Sequence, residues 1–167
     1  MKIRSALAED ALTISQIHAS SWKAGYRGIV PQQYLDDLSD QYWVTLFQKA
    51  ITEDLFQVKL ILEDNIPVGC ISYGKARDKK LSSWAEIIAL YIHPNYFRRG
   101  YGQRLLNTAF EELKSNSYKS CYLWVLKENT NARYFYEKNG FHCSSDENNV
   151  EVAGEKLIDV RYIINFE

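Results

Sequence analysis

Cysteine, proline and histidine are all scarce in this chain, with three of each among 167 residues. Cys70, Cys121 and Cys143 are odd in number and lack C-x-x-C spacing, and the first two sit inside apolar runs. A disulfide framework is therefore excluded, and reduced core thiols are expected. His18, His93 and His142 are dispersed without metal-ligand spacing, so no metal site is expected and each reads as a surface or capped core histidine. An excess of positive charge is missing as well: 20 Lys and Arg face 21 Asp and Glu, for a net charge of -1. No general field is present to hold nucleic acid, and any anion site must be local. No stretch approaches the ~18 apolar residues of a membrane span, and Met1 to Ser5 leads into a polar helical pattern rather than a signal segment. A cytoplasmic protein with no membrane partner is expected. There is no repeat, low-complexity tract or linker, and one domain over residues 1–167 is expected.

The chain does carry clear periodicity. Lys2 to Ala6 reads as a strand and Glu9 to Trp22 as an amphipathic helix, with Ala11, Ile14 and Ile17 at helical intervals. Gly25 and Gly28 break that pattern, and after Pro31 a short helix to Leu38 and a longer one from Ser39 to Ile51 are predicted. Phe56 to Leu62 and Val68 to Tyr73, separated by the turn cluster Glu63-Asp64-Asn65, read as an antiparallel hairpin. Trp84 to His93 is a third extended run. Gly100 then opens a helix whose Leu105, Leu106, Ala109, Phe110 and Leu113 share a buried side. Ser120 to Leu126 reads as a strand covered on both faces, Asn131 to Asn139 as a helix, and the tail from Ile158 as extended, with a turn at Asp146-Glu147-Asn148-Asn149.

Arg98-Arg99-Gly100-Tyr101-Gly102-Gln103 joins a strand to a helix. A helix that starts at a glycine turn leaves its first N–H groups unpaired and pointing one way, which suits phosphate. Gly100 and Gly102 allow close approach, and Arg98, Arg99 and Arg104 add charge. A solvated surface turn is the other reading of G-x-G alone. The dinucleotide and P-loop fingerprints fail on spacing, since the third glycine of G-x-G-x-x-G falls at Leu105 and no G-x-x-x-x-G-K-[ST] occurs.

Glu86 to Leu106 resembles the acetyl-CoA-binding motif of the GNAT superfamily of N-acetyltransferases, a strand and short loop followed by [QR]-x-x-G-x-[GA] at a helix start. Phe97 stands at the family's Gln or Arg position, where its backbone N–H is expected to serve. A second block, Asn129-Thr130-Asn131-Ala132-Arg133-Tyr134-Phe135-Tyr136-Glu137-Lys138-Asn139-Gly140-Phe141, resembles the family's N-x-x-A-x-x-[LF]-Y-x-x-x-G-F helix. The likeness spans nearly the whole chain. It implies an α/β (α+β) fold with a mixed, splayed sheet of about seven strands flanked by helices. It implies acetyl-CoA as co-substrate, its pantetheine arm between the Glu86 and Ser120 strands against the backbone of Leu90, Tyr91 and Ile92. It also implies a primary amine acceptor and, by family habit, a homodimer.

Amine acetylation needs a group to take the amine proton and one to stabilise the departing thiolate. The resemblance puts a base at Glu86, 14 residues before Gly100. An ordinary strand carboxylate is the other reading, since strict alternation groups Glu86 with Ile88, Leu90 and Ile92; a bulge would re-aim it. Tyr136 matches the tyrosine that faces the CoA sulfur as general acid, with Tyr134 the nearest substitute; aromatic core packing is its other reading. Asn129 and Asn131 are both helix-cap candidates with a cofactor contact open to either. Trp22, Tyr26 and Tyr34 are candidates for an acceptor wall, or for packing two helices on the sheet. A non-catalytic module that binds CoA esters is the alternative function.

Overall fold

A computed structural model describes all residues from Met1 to Glu167. One seven-stranded sheet runs in the order β1-β2-β3-β4-β5-β7-β6. Its strands are β1 (Lys2–Ser5), β2 (Gln57–Glu63), β3 (Ile66–Lys75), β4 (Ala85–Ile92), β5 (Ser120–Leu126), β6 (His142–Val152) and β7 (Glu155–Asn165). The helices are α1 (Ala11–Gly25), α2 (Gln32–Asp37), α3 (Val44–Thr52), α4 (Tyr101–Ser115) and α5 (Thr130–Lys138). Every neighbouring pair is antiparallel except β4 and β5.

The main core lies between the sheet and α4, where Leu105, Leu106, Ala109 and Leu113 meet Ile71, Tyr73, Ile87, Leu123 and Tyr162. The helical periodicity read from the sequence thus defines the buried side of α4. On the opposite face, α1 and α3 cover the first half of the sheet through Ile14, Ile17 and Phe47. Val30 and Leu35, beside Trp22, Tyr26 and Tyr34, cover Leu157 and Leu126 on the second half.

Three segments depart most from the sequence reading. The helix expected from Ser39 begins at Val44; Ser15 Oγ accepts the Trp43 N–H at 3.0 Å and fixes the preceding turn on α1. The first helix starts later and ends later, from Ala11 to Gly25, after a 3-10 turn at Ala8–Asp10. Most consequentially, Asp146 to Asn149 is no turn: these residues lie within β6, at a register shift between Cys143 and Glu147, and the chain reverses at Ala153 and Gly154, both with positive φ. β6 is an exposed edge strand, where polar residues protect an open edge and hide the alternation that marks buried strands.

Candidate active site

β4 and β5 are paired only at Ala85–Cys121 and Glu86–Tyr122. Beyond that vertex β5 keeps β7 along its whole length and β4 keeps β3, so a wedge opens between the two parallel strands. Backbone on the inner edges of a wedge has no strand partner, and a ligand amide can occupy that place. Tyr91, Leu90 and Ile92 lie on its β4 edge, and Ser21 Oγ donates to the Ile92 carbonyl at 2.6 Å.

A bulge sets which side chains face which way. β3 pairs Ser72 with Ala89 and Tyr73 with Ile87, leaving Ile88 as the extra residue. Ile87, Leu90 and Ile92 consequently point into the α4 core, and Tyr91 packs on the α1 side. The strict alternation that would group Glu86 with Leu90 and Ile92 does not hold, because one inserted residue inverts the phase.

The turn at the mouth of the wedge carries six consecutive backbone N–H groups, Arg98 to Gln103, with no acceptor in the protein. The next, Arg104, makes the first helical bond to the Gly100 carbonyl at 3.2 Å. Arg98 at φ 62 and Gly100 at φ 80 take the left-handed conformation that curls such groups into an anion-binding nest. Phe97 does not contribute, since its N–H already bonds the Pro94 carbonyl at 3.2 Å. Gly102 packs against α5: a Cβ there would come into ordinary van der Waals contact with the Phe135 ring at 3.4 Å.

The side chains of the turn divide their roles. Arg99 is drawn away to Glu63 at 3.3 Å and lies over the Tyr96 ring at 5.0 Å. Tyr101 is buried, its hydroxyl donating to Glu63 at 2.5 Å, so only its N–H faces the mouth. Arg104 lies along α4 beside Met1 to Ile3. Of the three arginines only Arg99 is engaged by other groups; Arg98 and Arg104 make no side-chain hydrogen bond or ion pair, and Arg98 is the one within the run of free N–H groups.

α5 forms the other wall. Asn129 is its cap, Oδ1 accepting from Ala132 N at 3.2 Å, while Asn131 is exposed in the first turn and caps nothing. Tyr136 is half-buried, edge-on to Phe135 at 5.3 Å and Phe141 at 5.7 Å, and its hydroxyl has no partner in the protein. Burial raises its pKa, so the phenol keeps its proton at neutral pH. Tyr134 is exposed.

Glu86 is buried at the vertex. Arg77 grips it with Nη2 on Oε1 at 2.6 Å and Nε on Oε2 at 3.1 Å. The Arg77 backbone N–H at 3.0 Å and the Tyr122 hydroxyl at 2.9 Å also reach Oε2. A carboxylate with four such bonds is an anchor first, and accepting a proton would break at least one of them. Neither Arg77 nor Tyr122 stood out in the sequence. Arg77 is one of several cations in a charged loop, and the signal for Tyr122 was a hydroxyl inside an apolar run.

Over Tyr91, farther along β4 from Glu86, α1 and its C-terminal end supply an aromatic set. Trp22 Nε1 donates to the Tyr91 hydroxyl at 3.1 Å, and the Tyr26 and Tyr91 hydroxyls lie 3.3 Å apart. Burial raises the pKa of both tyrosines. Tyr34 stands farther back, its ring 6.4 Å from Trp22. His18 is neither on the surface nor capped. It is buried among Trp43, Phe47 and Tyr91, and its Nε2 has no partner.

The chain thus carries a wedge between parallel strands, a run of free N–H groups after β4 and an unpartnered phenol on α5. The chain matches the model of the Acetyltransferase (GNAT) family over residues 16–141 and belongs to that family. It is 30% identical over 144 residues to a probable N-acetyltransferase of Mycobacterium tuberculosis, spanning 85% of this chain and 80% of that protein. It is 27% identical over 146 residues to spermidine N(1)-acetyltransferase of Thermoplasma acidophilum, spanning 84% and 88%. Among solved structures, an N-acetyltransferase of T. acidophilum in complex with coenzyme A superimposes with a TM-score of 0.76 at 23% identity over 99% of this chain and 98% of that one. The splayed seven-stranded sheet is therefore the family's fold, and acetyl-CoA is the cofactor that membership assigns. No helix is long and apolar enough to cross a membrane.

Proposed function

We propose that this chain moves an acetyl group from acetyl-CoA to a primary amine by direct attack. The observation that carries this is the run of six unpaired N–H groups from Arg98 to Gln103 at the mouth of the β4–β5 wedge. A pyrophosphate satisfies those groups, with Arg98 adding charge, and the pantetheine arm then follows Leu90, Tyr91 and Ile92 toward Tyr136. The neutral amine attacks the thioester carbon from the α1 side and the C–S bond breaks. The phenol of Tyr136 donates a hydrogen bond to the departing sulfur, and the proton lost by the amine balances the thiol formed.

Glu86 occupies the position where the resemblance implies a base. Its four hydrogen bonds support a positioning role, in which it fixes Arg77 and Tyr122 at the vertex while a water carries the amine proton away. Trp22 and Tyr26, with Tyr34 behind them, form the acceptor wall. Asn129 contributes by fixing the start of α5. The three free cysteines, Cys70 and Cys121 buried and Cys143 exposed, fit a cytoplasmic setting.

Free-thiol release from acetyl-CoA, measured across a panel of amines and peptides, tests this reading. Release with an amine supports it. A melting temperature raised by acetyl-CoA without release by any amine would instead describe a module that binds CoA esters.

A further inference from the structure

Several carboxylates around β5, β6 and β7 are matched. Glu86 holds Arg77, Asp78 and Asp146 share Arg161 at 2.9 and 3.3 Å, and Glu147 holds Lys127 at 2.7 Å. Asp159 has neither a hydrogen bond nor an ion pair. It lies on β7 in register with Leu126 of β5 and Asn148 of β6. Leu126, Trp22, Tyr26 and Tyr34 all pack against the small cluster of Val30, Leu35 and Leu157, and Leu157 precedes Asp159 by two residues on the same face of β7, so the Asp159 position adjoins the aromatic acceptor wall.

Its nearest cation on the strand is committed elsewhere. Arg161, two residues on and on the same face, is gripped by Asp78 and Asp146 and sandwiched over Tyr122 at 5.1 Å and Trp124 at 4.6 Å. An open groove of about 550 Å³ runs past Asp78, Lys80, Trp124, Asp146, Asn148 and Arg161; it reaches the register partner of Asp159 but is not lined by Asp159 itself. Half-burial without a partner raises the Asp159 pKa, and its charge is close enough to raise that of the Tyr26 phenol. A partly desolvated carboxylate beside aromatic faces is a poor structural element and a good receptor for an alkylammonium, which satisfies the charge and stacks on the rings.

We infer that Asp159 binds a positive charge on the acceptor remote from the reacting nitrogen, so that the preferred acceptors are diamines or longer cations rather than monoamines. The inference rests on the amine-acceptor reading above. Asp159 acts here as a specificity-determining residue. The neutral amine enters the wedge toward Tyr136 while the second ammonium remains protonated at the carboxylate.

The test compares 1,4-diaminobutane with butylamine, and 1,8-diaminooctane with octylamine, by thiol release with wild type, Asp159→Asn and Asp159→Glu. Wild type should favour one of the diamines by about tenfold or more in kcat/KM. Asp159→Asn should erase that preference through the diamine KM while the acetyl-CoA KM stays unchanged, and Asp159→Glu should retain it. Equal use of diamine and monoamine by wild type, or a preference that survives in Asp159→Asn, overturns the inference. Calorimetric titration of each diamine into CoA-loaded protein gives an answer independent of turnover. Binding lost in a folded Asp159→Asn supports the site, and binding unchanged refutes it. Thiol release with monoamines alone would leave the acetyltransferase reading standing and remove this one. Release with no amine at all would remove the amine-acceptor reading, and this inference with it.

Discussion

Lowering the pH from 7 to 5 should weaken the fold through a single side chain, His18. Its ring is 4% exposed, its Nε2 has no partner, and it is enclosed by Trp43, Phe47 and Tyr91 at centroid distances of 5.3, 4.8 and 4.5 Å. Burial without a counter-charge pushes its pKa down to about 3. The unfolded chain, with an imidazole near pKa 6.5, takes up a proton first as the pH falls. The contribution is therefore fully present above the unfolded pKa and is lost progressively as pH falls toward 3. At pH 5 the unfolded ensemble gains a factor of roughly 30 from protonation while the folded state gains almost nothing, which amounts to about 2 kcal/mol. Urea unfolding at pH 7 and pH 5 for wild type and His18→Phe isolates the effect, because the carboxylates titrate alike in both proteins. Wild type should lose about 2 kcal/mol more than the variant between the two pH values. An equal loss in both would show that His18 is solvated or partnered in solution and would refute the reasoning.

Tyr136→Phe should lower kcat by about 10- to 100-fold with the acetyl-CoA dissociation constant unchanged, since only the bond to the departing sulfur is removed; stopped assays beside calorimetry separate the two. Gly100→Val places a branched side chain at φ 80 and should weaken acetyl-CoA binding about tenfold or more by deforming the nest, and unchanged affinity would count against a phosphate site there. Glu86→Gln releases the solvent-facing Arg77 fork and should cost about 1 kcal/mol in chemical denaturation, as expected when charged hydrogen bonds are lost but the stranded cation stays hydrated. If Glu86 is an anchor rather than the base, the acid limb of the pH–rate profile should remain where it is in wild type; its disappearance would return the base role to this residue.

The legible parts of this protein were those whose signal is periodic or fixed by motif. The buried side of α4 and the β2–β3 hairpin follow from spacing alone, because a helix stripe and a turn cluster each have one physical solution, whereas the glycine start at Gly100 reads as a phosphate site only beside the family motif. The polar cluster from Asp146 to Asn149 misled because edge strands suppress alternation for solubility, which makes a strand look like a loop. Glu86 was located correctly along β4, but its surroundings depend on a bulge at Ile88 and on Arg77 from a different loop, and neither leaves a local trace. Asp159 sits between Ile158 and Val160 and reads only as the polar half of an alternating strand. Its isolation emerges only from the full set of hydrogen bonds and ion pairs around it.

The two residue pairs at the β4–β5 vertex have a mechanical meaning. Ladder bonds transmit force between strands, and here the two halves of the sheet, β1 to β4 and β5 to β6, share backbone bonding only where Ala85 meets Cys121 and Glu86 meets Tyr122. The molecule is in that sense a pair of plates on a short hinge, with α4 and the Glu86 cluster as the braces. A ligand seated in the wedge touches both plates and adds the rung that the chain omits. Donor binding should thus stiffen regions that it does not contact, and slower amide exchange in β7 as well as along β4 would register that load passing across.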